Sequence, residues 1–256
     1  MQVVILAGGL WTRLSEETTL KPKPMVEIGG KPILWHIMKG YAQYGHKEFI
    51  ICLGYKGHII KEWFANYLLH NSDVTIDTRN GGQITIHNTQ ADDWKVTLVD
   101  TGENSGTWWR IKRVGSYIQG DTFLMTYGDG VSNVNFDELL KFHRSHGKLA
   151  TLTAVQPEGK FWRLGLDGDV VTEFAEKKDN LDSWINGGFM VLNKKTLDYI
   201  EGDEVFFERD PLENIAQDRE LMSYKHRGFW YAMDTLKNKN DLEALWLSGK
   251  ALWKTW

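Results

Sequence analysis

The sequence has a single cysteine, Cys52, inside the apolar segment FIICLG. One cysteine cannot form a disulfide within the chain, so the composition excludes a disulfide-stabilised domain and favours a reducing compartment. The first residues, MQVVILAGG, also lack a basic segment and a small-residue cleavage site. We therefore expect no secretion signal there and a cytoplasmic location.

Long apolar runs and an excess of basic residues are also missing. No run approaches the roughly 18 to 20 apolar residues that span a membrane, so we expect no membrane partner. The formal net charge of -4 argues against a nucleic-acid partner, because nucleic-acid-binding domains are normally basic. The eight histidines are dispersed, and no Ser/His/Asp order or CxxC spacing indicates nucleophilic or thiolate chemistry.

Predicted strands and helices alternate along the chain. Buried strands are predicted at 2–6, 48–53, 122–126 and 149–155, and helices at 32–44, 57–69 and 135–146. This alternation predicts an α/β fold with a Rossmann-like mixed, mostly parallel sheet flanked by helices, with ligands at the carboxyl ends of the strands. Residues 72–99 interrupt the alternation with a hairpin around Asn80 and Gly81, a small β excursion. We predict one domain over residues 1–256, whose last part, about 156–256, completes the substrate side.

The segments LAGGLWTRL and KPKP, within the first 24 residues, carry the strongest chemical signal. Glycines let a backbone approach a ligand with its amides exposed, and Thr12 and Arg13 add a hydroxyl and a fixed cation. The prolines of KPKP hold Lys21 and Lys23 on an extended path, where ammonium groups suit phosphate oxygens. KPKP alone is also typical of an exposed turn, and LAGG matches neither GxGxxG nor the P-loop. Together they indicate a site for an anionic ligand.

LAGGLWTRL followed by KPKPMVEIGGKPILWHIM resembles the signature of the sugar-1-phosphate nucleotidylyltransferases. The segments VTLVDTG, TYGDGVSNVN, INGGFMVLN and GFWYAMDTL continue the resemblance, and they are similar to the subfamily that converts CTP and glucose 1-phosphate into CDP-glucose and pyrophosphate. The resemblance implies the nucleotide-diphospho-sugar transferase fold, Mg²⁺ as cofactor, a homo-oligomer and a role in making bacterial surface polysaccharide. It also implies a nucleotide-binding half, about 1–155, and a sugar-phosphate-binding half, about 156–256. Base choice depends on few hydrogen bonds, so a thymidylyltransferase is an alternative.

The resemblance also implies roles for individual residues. Arg13 and Lys23 would be catalytic, and Asp129 and Asp234 would hold Mg²⁺, a hard ion that takes carboxylate and phosphate oxygens. Alternatively, Asp129 caps its own turn, and Asp234 is the N-cap of the helix TLKNKNDLEAL. The nucleotide would be bound by Leu6, Ala7, Gly8, Gly9, Leu10, Trp11, Thr12, Arg13, Lys23, Ser105, Arg110 and Gly128. The sugar phosphate would be bound by Glu176, Lys177, Asn186 and Gly187.

Tryptophan stands at four positions where the family has glycine, namely Trp11, Trp108, Trp109 and Trp162. All four are expected in loops that face the nucleotide or the sugar, where an indole would obstruct the approach of the ligand. Three interpretations follow: a blocked site with little or no turnover, loops that carry the indoles outward, or a non-catalytic scaffold or interaction protein. Core packing is disfavoured for Trp108 and Trp109, because adjacent residues rarely point into the same core.

Overall fold

The computed structural model describes residues 1–9, 21–80, 82–156, 163–175, 184–200 and 211–256. Its strands are β1 (Gln2–Leu6), β2 (Glu27–Ile28), β3 (Lys31–Pro32), β4 (Glu48–Leu53), β5 (Ser72–Asp77), β6 (Gln83–Thr89), β7 (Lys95–Asp100), β8 (Thr122–Tyr127), β9 (Gly130–Ser132), β10 (Ala150–Val155), β11 (Arg163–Asp167), β12 (Val170–Ala175), β13 (Ile185–Asn186), β14 (Met190–Asn193), β15 (Leu221–Lys225) and β16 (Trp230–Ala232). Its helices are α1 (Ile33–Ala42), α2 (Gly57–Ala65), α3 (Tyr67–His70), α4 (Thr107–Val114), α5 (Phe136–His146), α6 (Pro211–Gln217) and α7 (Leu236–Leu247).

The main sheet has the strand order β11-β12-β15-β10-β14-β8-β1-β4-β7, and β13 pairs with β10. The strands β8-β1-β4-β7 are mutually parallel, as are β10 and β15, whereas β14 runs antiparallel to both of its neighbours. The predicted mixed α/β sheet flanked by helices is confirmed. Because β1, β4, β7 and β8 are parallel, the loops that follow them lie at one edge of the sheet, where ligands bind in such folds.

Hydrophobic side chains cover both faces of this sheet because successive residues of a strand point to opposite sides. In β1, Val3 and Ile5 belong to the cluster that includes α1, whereas Val4 and Leu6 belong to the cluster that includes α4. Cys52 lies in the second cluster, where burial raises the pKa of its thiol to about 12. The cysteine is therefore a core residue and not a nucleophile.

The predicted hairpin is present as a separate ribbon of β5 and β6. Its strands are joined by a turn that includes Gly82, whose φ of +83° favours glycine. The alternation resumes sooner than predicted, because β7 pairs in parallel with β4 in the main sheet. The predicted helix at 57–69 is divided into α2 and α3 at Asn66, whose side-chain amide donates to the carbonyl of Glu62 at 2.8 Å.

Histidine and tryptophan rings pack where the C-terminal segment returns to α1. His36 is buried, and the rings of Trp35, Trp246, Trp253 and Trp256 surround it with centroids 4.8 to 6.3 Å away. The Nε2–H of His36 donates to the carbonyl of Ile28 at 2.8 Å, and its Nδ1 accepts from Nε1 of Trp253 at 3.4 Å. An indole nitrogen only donates, so Nδ1 is unprotonated and His36 is neutral.

We expect His36 to make the fold sensitive to mild acid. Burial lowers the pKa of His36 from 6.5 to about 4, so the unfolded chain binds a proton first as the pH falls. The stability that the neutral ring provides is therefore lost progressively from pH 6.5 towards pH 4. The loss between pH 7 and pH 5 amounts to about 2 kcal/mol of unfolding free energy. Urea unfolding at both pH values measures it.

The matched control is His36→Gln, which carries no titrating group at this position. Its free energy of unfolding should fall by about 2 kcal/mol less than that of the wild type between pH 7 and pH 5. Equal losses in the two proteins would contradict a neutral, buried His36. The buried His46 and His143, whose pKa values burial also lowers to about 4, titrate equally in both proteins.

Candidate active site

Glycine-containing loops follow the parallel strands at the carboxyl edge of the sheet. Ala7, Gly8 and Gly9 follow β1, Gly54 follows β4, and Gly128 follows β8. The N–H of Gly128 donates to the carbonyl of Leu6 at 2.9 Å, and the N–H of Ala7 donates to the carbonyl of Cys52 at 3.0 Å. The loops after β8 and β1 are thus each hydrogen-bonded to the neighbouring strand where they begin.

Arg110 of α4 joins the loops after β1, β4 and β7 through its buried guanidinium. Its Nη2 donates to the carbonyls of Gly8 at 2.9 Å and Glu103 at 3.0 Å. Its Nη1 donates to the carbonyls of Leu53 at 3.1 Å and Gly102 at 2.6 Å, and to the hydroxyl of Thr101 at 2.9 Å. All five acceptors are oxygens at or just beyond the end of β1, β4 or β7. Arg110 therefore sets the spacing of these loops.

Gly8 and Gly54 leave the space that the guanidinium occupies. A Cβ at Gly8 would lie 2.2 Å from Nη1 of Arg110, and a Cβ at Gly54 would lie 2.5 Å from the same atom. The sequence predicts that the glycines of LAGG let the backbone approach a ligand. For Gly8 the structure adds another reason: its missing side chain makes room for Arg110.

An acidic pair lies at the same edge and is bridged by a lysine. The Nζ of Lys23 is 2.8 Å from Oδ2 of Asp129 and 2.8 Å from Oδ1 of Asp234. Lys23 is 2% exposed and Asp129 is 8% exposed, whereas the side chain of Asp234 is 32% exposed. Burial raises the pKa of Asp129, and the ammonium of Lys23 counteracts that rise.

Antiparallel pairing brings these two distant carboxylates together. Strand β9, directly after Asp129, pairs with β16, directly before the segment that holds Asp234. The N–H of Met233 donates to the carbonyl of Asp129 at 2.9 Å. Asp234 is not the N-cap of α7: Thr235 is, and its side chain accepts from the N–H of Asn238. The alternative reading of Asp234 as a helix cap is therefore wrong.

The two prolines of KPKP fix the backbone on either side of Lys23. Lys23–Met25 forms a single 3-10 turn, with Pro22 in an extended conformation before it. Pro24 lies against Gly128, where an added Cβ would be 3.0 Å from Cγ of the proline and 2.7 Å from the carbonyl of Leu6. The segment that carries Lys23 is therefore packed against the loop that carries Asp129. KPKP is not a simple exposed turn, although Lys21 does bind the exposed Glu27 at 3.0 Å.

Comparison with known proteins places this site in a family. The family described as "Nucleotidyl transferase" matches residues 2–235, most of the chain and all the described residues of the site. The chain belongs to the nucleotidyl transferase family. The resemblance inferred from the sequence motifs is thereby confirmed, and the family is one of enzymes.

Two curated members of the nucleotidyl transferase family are similar to this chain over their full lengths. Glucose-1-phosphate cytidylyltransferase of Salmonella typhi is 54% identical over 257 residues, covering 100% of both chains. A protein of Bacillus subtilis named "Probable glucose-1-phosphate cytidylyltransferase" is 44% identical, also covering 100% of both. The crystal structure of HddC from Yersinia pseudotuberculosis, 24% identical, has a TM-score of 0.74 and covers 96% of this chain and 99% of that one. It supports the nucleotide-diphospho-sugar transferase fold.

Several predicted site residues of this nucleotidyl transferase lie at the carboxyl edge, in two groups. Ser105, one of the residues predicted to bind the nucleotide, lies in the loop that Arg110 binds, with its Oγ 2.5 Å from the carbonyl of Thr101. Asn186, one of the residues predicted to bind the sugar phosphate, accepts from the N–H of Gly188 at 2.9 Å. Leu10, Trp11, Thr12, Arg13, Trp162, Glu176 and Lys177 lie outside the described residues.

Trp230, to which no motif assigns a role, contacts the loop that holds the predicted sugar-phosphate residues Asn186 and Gly187. Its Nε1 donates to the carbonyl of Gly187 at 2.7 Å, while the N–H of Gly187 donates to the carbonyl of Thr153 at 2.8 Å. The carbonyl and the N–H of Gly187 are thus both hydrogen-bonded, which fixes the position of its backbone. The segment GFWYAMDTL contained the signal, because β16 pairs with β9 next to Asp129.

The expectation that Trp108 and Trp109 lie in a ligand-facing loop is wrong. Both occupy the first turn of α4, are half-buried, and pack against the cluster between that helix and the sheet. Adjacent helical residues are about 100° apart, so two large side chains can flank the buried stripe formed here by Arg110, Ile111 and Val114. Nε1 of Trp109 is buried with no hydrogen-bond partner among the described residues.

Changing both indoles to glycine should therefore damage the fold instead of restoring activity. We expect Trp108→Gly combined with Trp109→Gly to lower the free energy of unfolding by about 3 kcal/mol, through lost packing and low helix propensity. Turnover per folded molecule should not rise. Urea unfolding and kcat measure the two effects, and a double variant with Phe at both positions is the control. A higher kcat in the glycine variant would indicate that the indoles obstruct the site.

The acidic pair has the donor chemistry that Mg²⁺ requires. Mg²⁺ prefers one or two carboxylates and completes its shell with water and phosphate oxygens. Asp129 and Asp234 are close enough to share one ammonium, so they are also close enough to share one cation. Within the described ranges no group of three or more carboxylate, imidazole or thiolate side chains forms a fuller site. The pair thus fits a metal that arrives with a phosphate ligand.

Within the part of the chain that the structure describes, no helix is both long and apolar enough to cross a membrane.

Proposed function

We propose that the protein catalyses nucleotidyl transfer from CTP to glucose 1-phosphate, giving CDP-glucose and pyrophosphate. The observation that carries the proposal is the full-length similarity to a curated glucose-1-phosphate cytidylyltransferase, at 54% identity. The convergence of Lys23, Asp129 and Asp234 at the carboxyl edge supports it, because phosphoryl chemistry depends on positioned charges.

The proposed reaction needs positive charge more than it needs a base. A sugar phosphate has a second pKa of about 6, so its attacking oxygen is already anionic at neutral pH. Mg²⁺, held by Asp129 and Asp234, would neutralise phosphate charge. Lys23 would contribute a second cation from a backbone that its flanking prolines hold in place. We propose that Arg13 provides a third.

Binding of the two substrates would be divided between the two halves of the chain. We propose that residues 1–155 bind the nucleotide through the loops that Arg110 connects, with contributions from Leu6 to Arg13, Ser105 and Gly128. Residues 156–256 would bind the sugar phosphate through Glu176, Lys177, Asn186 and Gly187. The two hydrogen bonds that fix Gly187 support a positioned loop on that side.

Pyrophosphate release with Mg²⁺ and glucose 1-phosphate tests the proposed function. CTP, dTTP, UTP, ATP and GTP are supplied separately, and the expected result is release with CTP alone. Release with dTTP instead would indicate the thymidylyltransferase alternative. A folded protein that releases no pyrophosphate with any nucleotide would contradict the proposal and favour a blocked site or a scaffold, with Trp11 and Trp162 as the remaining candidates for obstruction.

We further propose that the protein is a cytoplasmic homo-oligomer that supplies a nucleotide sugar for surface polysaccharide. The C-terminal segment WLSGKALWKTW is rich in aromatic residues, which favours it as an interface. In the structure Trp253 is buried inside the chain, whereas Leu247 and Leu252 are 75% and 59% exposed and remain available for contact. Light scattering after size-exclusion chromatography measures the oligomeric state.

A further inference from the structure

Lys23 is paired with the two carboxylates to which the proposed function assigns a divalent cation. Its ammonium is 2.8 Å from an oxygen of Asp129 and 2.8 Å from an oxygen of Asp234, so these oxygens are no farther apart than twice that distance. A cation that contacts both carboxylates would lie within a few ångströms of the ammonium. Lys23 and a metal are therefore competitors for the same negative charge.

We propose that Lys23 is a positioning residue that holds Asp129 and Asp234 together before a divalent cation binds, and that the cation then displaces its ammonium from both carboxylates. The choice of cation rests on the proposed function. The displaced ammonium would become available to phosphate oxygens at the same edge of the sheet.

The charges favour an exchange over simultaneous occupancy. Two carboxylates and one ammonium carry a net charge of -1, and a dication placed beside an ammonium in a buried site is repelled by it. Without any cation, the two adjacent carboxylates would repel each other, and the buried Asp129 would be desolvated and unpaired. Lys23 removes that repulsion, and it must leave if the dication is to take its place.

The local structure confines any such movement to the side chain. The backbone at Lys23 is fixed by the adjacent 3-10 turn and by Pro22 and Pro24, so the ammonium can only be redirected by rotation about the side-chain bonds. Lysine is suited to this exchange because its charge lies at the end of a flexible stem and has no fixed geometry. Asp234 is the more exposed partner and provides the side from which a cation can approach.

Mn²⁺ binding without nucleotide tests the proposal independently of catalysis. The fraction of bound Mn²⁺, measured by electron paramagnetic resonance at pH 8, is compared among the wild type, Lys23→Met and Lys21→Met. Removing the competing ammonium should lower the Kd of Lys23→Met about tenfold or more. Lys21→Met is the matched control, because Lys21 belongs to the same KPKP segment and pairs with the exposed Glu27, so its Kd should equal that of the wild type.

A Kd for Lys23→Met that equals or exceeds the wild-type value would overturn the exchange, as would the absence of bound Mn²⁺ from both proteins. If Lys23→Met does not fold, reductive methylation of the unchanged chain provides the second test. Lys23 should be methylated slowly without metal, because it is 2% exposed, and several-fold faster in millimolar Mn²⁺. Lys21 should be unaffected. Labelling of Lys23 that does not change with Mn²⁺ would contradict the proposal.

The Mn²⁺ result and the assay for pyrophosphate release can fail separately. CTP-dependent release together with an unchanged Kd would leave the proposed function standing and remove the exchange. A tenfold change in Kd without release would leave the exchange standing and remove the proposed reaction.

Discussion

Asp129→Asn should lower kcat for nucleotidyl transfer about a thousandfold while the protein remains folded. The substitution keeps the shape of the side chain but removes one of the two charges available to a divalent cation. The fold should survive because the ammonium of Lys23 can still pair with Asp234 and can donate to the amide oxygen at position 129. The neutral amide also avoids the cost of burying a charge, which is the same cost that raises the pKa of Asp129.

Steady-state kinetics with CTP and glucose 1-phosphate measures the loss in Asp129→Asn, and thermal unfolding measures the stability. Asp198→Asn, which changes an exposed carboxylate, is the control and should retain full activity. Asp234→Asn should show a comparable loss, because its carboxylate binds the same ammonium. If Asp129→Asn retained more than a tenth of the wild-type kcat with an intact fold, the carboxylate pair would not be the metal site of the reaction.

The proximity of Asp129 and Asp234, which both contact Lys23, illustrates how much of the site the sequence predicts. The motif resemblance identified both carboxylates and Lys23 across more than a hundred residues, because family motifs record which residues meet in space. Neither propensity nor periodicity predicts that the ammonium lies between the carboxylates. That arrangement depends on the antiparallel pairing of β9 with β16, which is a long-range contact between two three-residue strands.

Trp108 and Trp109 show where sequence reasoning failed. The family's glycines at these positions indicate an open loop. Adjacent residues also face different directions, which disfavours packing of both indoles in one core. In the structure both lie in the first turn of α4. Each indole is half-buried beside the buried stripe of that helix, so neither needs to point directly into the core. Packing against the neighbouring sheet determines where the two indoles lie, and a motif of a few residues contains no information about that sheet.

The α/β alternation was predictable for a simpler reason. The strands β1, β4 and β8 are short apolar runs buried on both faces, and each is followed by a glycine-containing loop. Apolar runs this short, with glycine after them, favour buried strands over helices. The position of β14, antiparallel between β10 and β8, could not be inferred, because strand order depends on which edges remain free when the chain returns.

Arg110→Met should destabilise the protein by about 4 kcal/mol and weaken nucleotide binding. The substitution retains an unbranched stem but removes the guanidinium that donates to Gly8, Leu53 and Thr101, and to the carbonyls of Gly102 and Glu103. Buried carbonyls would lose their donors, and the loops after β1, β4 and β7 would lose their common connection. We expect the Tm to fall by about 10 °C and the KM for CTP to rise about tenfold or more.

Three comparisons distinguish the positioning role of Arg110 from general stabilisation. Arg110→Lys keeps the charge but cannot present the planar fork of donors, so it should recover only part of the stability and little of the nucleotide affinity. Arg144→Met, which changes an exposed arginine of α5, should alter neither quantity. A lower Tm with an unchanged KM for CTP would show that Arg110 stabilises the fold without setting the geometry of the loops. A raised KM with little change in kcat would instead indicate that the positions of Gly8 and of the loop after β7 determine how well the nucleotide binds. The guanidinium of Arg110 holds those two backbone segments together.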